Sequence, residues 1–214
     1  MQLGGLLTSM ESYFPYSEEV FVIYKGTTMP QWESYDTLKK EWEDVHFIKE
    51  SFLKGQTEYI LSQAKTVCFL MDDCLFYRGV PNKPEPKKWE SISHRLGENT
   101  NNKNHFTYNI SLDGNVYRCK DILECMKPIQ YYNPNELEAR LVSYQPNFKQ
   151  RITEQYLVGL PHNRVSDSSG CKYSGRYTEE YLLDAFNEGD RIWVEKMKFE
   201  NIRGPHDYNV NYEF

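Results

Sequence analysis

Leu3, Leu6, Leu7, Met10 and Phe14 recur at the spacing that lines one face of an α-helix, so the chain is predicted to open with an amphipathic helix that Pro15 ends. EVFVIYKG, Glu19 to Gly26, reads as a buried strand. Pro30 to Trp42 reads as a helix, with Pro30 suited to its first turn. VHFIKE, Val45 to Glu50, is a second strand. Phe52 to Gln63 is a helix with Phe52, Leu53, Tyr59 and Ile60 on its apolar side, and TVCFLM, Thr66 to Met71, is a third strand. Helix and strand thus alternate up to Met71, which predicts an α/β fold with a mixed, mainly parallel central β-sheet flanked by α-helices.

After Gly79 the pattern changes. VPNKPEPKKW, Val80 to Trp89, carries three prolines and reads as a loop. HFTYNISLDG, His105 to Gly114, is predicted as a strand ending in a turn. Arg118 to Met126, Asn135 to Val142 and Tyr177 to Asn187 read as helices, the last ended by Gly189. SDSSGCKYSG, Ser166 to Gly175, is small and polar and reads as a mobile loop. No repeat or long linker divides the chain, so residues 1–214 are expected to form one domain, with a nucleotide and metal half over about 1–79 and an acceptor and lid half over about 80–214.

The 39% hydrophobic and 26% charged composition is that of an ordinary globular protein. A net charge of -6 argues against a nucleic-acid binder, which needs a basic field. No apolar run approaches a membrane span, and MQLGGLLTSMESYF lacks a signal peptide's basic region and apolar core. The five cysteines form no CxxC pair, so neither a disulfide framework nor a zinc ribbon is expected and a cytoplasmic setting fits. The 17 tyrosines could stack on sugars or bases, or simply fill core and surface.

The stretch that raises a chemical question is TVCFLMDDCLFYRG, Thr66 to Gly79. An apolar strand runs straight into adjacent carboxylates, and a second apolar run follows. Neighbouring carboxylates raise each other's pKa, and isolated charges are costly to bury. Two solvated aspartates in an exposed turn would satisfy that; so would a hard divalent cation with oxygen ligands, Mg2+ or Mn2+, bridging the pair to a diphosphate. In open α/β sheets, ligands bind beyond the carboxyl ends of the strands, where Asp72 and Asp73 fall.

FLMDDCLF resembles the acidic motif of nucleotide-sugar glycosyltransferases with the GT-A fold. SISHRLGENT, SLDGNVYRCKDI, YYNPNELEARL, LPHNRV and GPHDYNVNYEF follow in the order of the blocks of one GT-A subfamily, over nearly the whole chain. The likeness is greatest to chlorella-virus glycosyltransferase domains associated with capsid glycan synthesis. It implies that Asp73 is a direct Mn2+ or Mg2+ ligand, with Asp72 near the metal and ribose and His206 a second ligand or a diphosphate contact. It implies nucleotide or diphosphate contacts at Tyr24, Lys25 and Arg95, and a lid carrying Arg164, Lys172 and Arg176. Asp113 would face the donor sugar or the acceptor, or shape an Asp-Gly turn. Glu136 or Glu138 would be the general base of an inverting enzyme, although Asn135 and Glu138 also have the spacing of a helix capping box.

The chain departs from the subfamily in places. It opens at the first helix, where relatives have an earlier strand and a loop that holds the base. YKGTT, Tyr24 to Thr28, lacks the base-reading aspartate of many relatives, and Cys74 stands where they often carry Asp. The resemblance implies a hexosyltransferase that takes a UDP-sugar such as UDP-glucose to a glycan acceptor, acting as a monomer without nucleic acid or a membrane span, in the host cytoplasm if viral. A degenerate GT-A module that binds glycan or nucleotide without turnover is the alternative; a nucleotidyltransferase would want a Gly-rich phosphate loop, and Gly4-Gly5 is too little.

Overall fold

The computed structural model describes residues 1–97, 109–144, 147–162, 173–202 and 204–214. Helix α1 spans Gln2–Tyr13, α2 Met29–Glu41, α3 Leu53–Gln63, α4 Cys119–Met126, α5 Pro134–Tyr144 and α6 Glu179–Glu188. The strands are β1 Val20–Tyr24, β2 Val45–Lys49, β3 Thr66–Cys68, β4 Cys74–Phe76, β5 Glu90–Gly97, β6 Asn115–Arg118, β7 Lys149–Thr153 and β8 Leu157–Gly159. The alternation expected up to Met71 is present, with element ends displaced by a residue or so and the third strand cut back to Cys68. Thr28 caps α2 through a capping box with Gln31, and Pro30 sits in the first turn.

The fold is mixed α/β, but its sheets are small and partly antiparallel. Strands β1 and β2 pair in parallel. The four-stranded sheet has the order β3-β6-β5-β7. Within it, β6 runs antiparallel to both neighbours, and only β5 and β7 are parallel. Strands β4 and β8 form an antiparallel pair. The expected mainly parallel sheet therefore does not describe the central pairing. The cause is β6, which enters through a turn at Gly114 and runs back between β3 and β5.

Two further expectations shift. Residues 105–108 lie outside the described residues, and Asn109–Gly114 is not a strand. The Glu138 carboxylate accepts from Ser111 Oγ and the Leu112 N–H, and Tyr117 Oη accepts from the Ser111 N–H, so side chains hold this loop where a strand would have used neighbouring backbone. Helix α5 starts at Pro134, whose fixed φ suits a first turn. Its cap is Asn133, which accepts from the Glu136 N–H at 2.8 Å, so the Asn135–Glu138 capping pair is not formed.

Two apolar cores hold these elements. One joins α1, β4, β8, α6 and the C-terminal segment. The other joins α3, β6, α4 and α5. Ser9 pins α1 to β4, donating to Leu6 O and accepting from the Phe76 N–H. In the second core the Lys54 ammonium, 8% exposed, donates to the carbonyls of Met126, Lys127 and Ile129 and to Glu58. It thereby gathers the carbonyls at the end of α4, where Met126 O also accepts from the Ile129 N–H.

His94 on β5 is 2% exposed and packed among Phe14, Phe76 and Tyr156. Neither ring nitrogen has a hydrogen-bond partner, and burial pushes its pKa down to about 4. The unfolded chain takes up that proton near pH 6.5 and the folded one does not, so stability is lost as pH falls through that window. Urea unfolding at pH 7 and pH 4 is expected to show a wild-type loss from this group of about 3 kcal/mol, absent in His94→Leu. Parallel pH dependence in the two proteins would refute it. Lys54→Met is expected to cost roughly 2–4 kcal/mol in the same assay, because the α4 carbonyls lose their donor; a loss below about 1 kcal/mol would show that water replaces the ammonium.

Candidate functional site

Beyond β3 the chain stays extended, with the Gly114 N–H donating to Phe69 O at 2.8 Å. It then reverses in a tight turn closed by the Cys74 N–H to Met71 O at 3.1 Å. Asp72 and Asp73 are the two central residues of that turn. Met71 packs against both apolar cores, so the turn sits at the seam between them.

Asp73 is half-buried, and the surrounding protein desolvates both aspartates, which sets the turn in an open recess. Asp72 is open to solvent, yet burial of its surroundings and the Glu179 carboxylate raise its pKa. Burial and the charge of Asp72 push Asp73 up to about 6, with Arg95 opposing. Tyr35 on α2 reads the same field: burial and Asp72 raise its phenol to about 12. Glu179, in the first turn of α6, accepts from Gln31 Nε2 at 2.6 Å. The starts of α2 and α6 thus approach the recess beside the aspartate turn.

Behind the turn lies a buried polar chain. Arg95 on β5, 6% exposed, is ion-paired with Asp113. The Cys74 thiol donates to Asp113 Oδ1 at 2.6 Å and lies 3.8 Å from Asp73 Oδ1. Burial and the Asp73 charge hold the Cys74 pKa well above its ordinary value, so it stays a protonated donor. His206 Nε2 lies 3.9 Å from Asp113 Oδ2. The His206 segment is fastened to β8 by the Gly159 N–H to Pro205 O and the Asp207 N–H to Gly159 O, both at 2.9 Å. A Cβ on Gly159 would meet His206 Cδ2 at 2.7 Å, so the missing side chain is what lets the ring lie there.

The structure therefore gathers Asp73, Arg95, Asp113 and His206 from four distant stretches, with Asp72 at the lip. The remaining candidates stand elsewhere. Tyr24 is buried, in contact with Trp32, Tyr35 and Phe47. Lys25 is 67% exposed in its side chain, 3.8 Å from Glu50. Glu136 pairs with Arg140 and accepts from the Tyr132 N–H. Glu138 holds the 111–112 loop, so neither α5 glutamate presents a disengaged carboxylate. Arg176 donates to Asn209 O and Asn211 Oδ1, fixing it to the C-terminal segment. Arg164 and Lys172 lie outside the described residues. Sequence reasoning missed Tyr35, Glu179 and Gly159; only Glu179 carried a local signal, as the acidic first turn after the cap Thr178.

The donor set fits a hard divalent cation: two carboxylates, one with its pKa raised by its neighbour, are relieved by positive charge. Among the described residues no three His, Cys, Asp or Glu side chains form a ready-made metal cage. An ion at Asp72 and Asp73 would take further ligands from a diphosphate and water. No helix of the described residues is long and apolar enough to cross a membrane. No protein-family model, curated protein or solved structure matches the chain.

Gly159→Ala is expected to displace the His206 ring and cost on the order of 1 kcal/mol. His206→Ala should relieve that clash, so the double variant should be no less stable than His206→Ala alone. Thermal unfolding of the four proteins closes the cycle; additive losses would show that the glycine serves β8 and not the histidine.

Proposed function

We infer that the protein is a metal-dependent glycosyltransferase of GT-A type, moving a sugar from a UDP-sugar such as UDP-glucose to a glycan hydroxyl. The observation that carries this reading is the aspartate pair on a turn at the carboxyl end of β3, in a recess that also collects Asp113 and His206 from remote positions. Parallel β1 and β2 with their alternating helices support the GT-A class for the first half. The motif order set out above is the support for UDP, and for a place in viral capsid glycan synthesis.

In this reading Asp73, with Asp72, holds a Mn2+ or Mg2+ ion. When bound, that ion offsets charge on the departing diphosphate. His206 faces the same recess and reaches towards the diphosphate. Asp113 is held immobile by Arg95 and the Cys74 thiol, which fixes the wall against which the sugar rests. A phosphate contact by Arg95 would require its pair with Asp113 to open, so Arg95 acts as a positioning residue. Tyr35 and Gln31 line the side from which the nucleotide would enter.

The engaged state of Glu136 and Glu138 favours a second reading. With both carboxylates occupied, the protein would bind nucleotide or glycan without turnover, or transfer sugar without a base from α5. Calorimetric titration of UDP with Mn2+ and then EDTA, on wild type and Asp73→Ala, tests the metal role. Metal-dependent binding is expected, weakened at least about tenfold in the variant, or about 1.4 kcal/mol. Binding that ignores both EDTA and the substitution would overturn it. Release of UDP from UDP-glucose, absent in Asp73→Ala, separates turnover from binding alone.

A further inference from the structure

Three tyrosines form a column that runs from the core to solvent. Tyr212, 4% exposed, stacks on Tyr177 with centroids 5.2 Å apart and planes at 28°. Tyr177 stacks on Tyr181 at 5.8 Å and 25°. Phe214 closes one side, edge-on to Tyr177 at 5.9 Å and to Tyr181 at 6.2 Å. Tyr181 remains 50% exposed. With one face on Tyr177 and one side against Phe214, its outer face is the open end of the column.

The inner end is tied to the candidate site. Tyr212 Oη donates to Leu160 O at 3.4 Å, and the Leu160 N–H donates to Asp73 O at 2.8 Å. His162, fully buried, packs edge-on against both Tyr177 and Tyr212, which prevents the column from tilting. A ring held this firmly presents a flat face at little entropic cost. On the same helix face, three residues on from Tyr181, stands the exposed Asp184 carboxylate. A carboxylate there repels phosphates and accepts hydrogen bonds from hydroxyl groups.

We propose that Tyr181 is a stacking platform for a neutral sugar ring of the acceptor glycan, with the Asp184 carboxylate taking its hydroxyls. The occupant presents an apolar C–H face to the ring and hydroxyls to the carboxylate, an arrangement that disfavours a nucleoside diphosphate. Two ring steps separate Tyr181 from Tyr212, so the platform holds a sugar beyond the reacting one. The assignment to an acceptor rests on the glycosyltransferase reading; the saccharide platform rests on the column alone.

Calorimetry and saturation-transfer NMR with cellotriose, maltotriose and chitotriose test it on wild type, Tyr181→Ala and Tyr181→Phe, each also titrated with UDP and Mn2+. At least one trisaccharide is expected to bind wild type, with its ring C–H protons saturated. Tyr181→Ala should weaken that binding about fivefold to tenfold, Tyr181→Phe should retain it, and UDP binding should stay unchanged in both. No trisaccharide binding to wild type, or equal binding to Tyr181→Ala, overturns the platform even where UDP binds. Tyr181-dependent trisaccharide binding without any UDP binding upholds the platform and removes the glycosyltransferase reading.

Discussion

A guanidinium on a strand buried along nearly its whole length has to find an anion, and this requirement organises the centre of the molecule. Strand β5 is covered on both faces, so Arg95 cannot reach water. Asp113 supplies the charge, which draws the 111–114 loop onto β5. Removing either partner would leave the other as an unpaired buried ion. Gly114, with φ at 80°, turns the chain directly after Asp113, and a Cβ there would strike Leu157 Cδ2. Glu138 then holds the near side of the loop. The position of Asp113 is thus overdetermined, and Cys74 and His206 are placed relative to it.

The two apolar cores explain why the acidic turn stands where it does. Met71 touches both, and the next two residues are the aspartates. A chain leaving the seam between cores emerges into a recess, partly desolvated yet open. Folding alone gains nothing from two carboxylates there, since burial raises the pKa of both and the charge of Asp72 raises that of Asp73 further. A local rule broken this way, amid otherwise consistent packing, is what makes the turn a candidate site and supports the proposed binding role.

Sequence reasoning recovered the first part of the fold because its helices and strands are long enough to show their periods. It also recovered α4, α5 and α6 to within a few residues, with Gly189 ending the last, but it missed the strands from β4 onwards for physical reasons. Strands β4 and β8 have three residues each, too short for alternation to register. Strand β5, ESISHRLG, looks polar but is buried, because Ser91 donates to Asn109 O, Ser93 accepts from the Leu96 N–H and Arg95 takes Asp113. Nothing local announces such long-range satisfaction. The aspartate pair was legible from its place after an apolar run. That Asp113 would meet Arg95 and Cys74 was not, since the partners come from separate strands and a loop. Glu138 had the right residue type for a base and instead holds the 111–112 loop, a distinction only tertiary contacts make.

Cys74 shows how the site balances charge. An aspartate at this position would place a further carboxylate against Asp73 and Asp113, with Arg95 as the guanidinium they would share. Burial in that company would force one of the acids to stay protonated. The thiol reaches the same result without competition: its pKa is held high, it keeps its proton, and it donates to Asp113. Arg95 and Asp113 then neutralise each other, and the negative field at the turn belongs to Asp72 and Asp73. In the proposed reading a divalent cation would answer that pair, and a thiol donor in place of an acid at position 74 keeps the negative charge at Asp72 and Asp73.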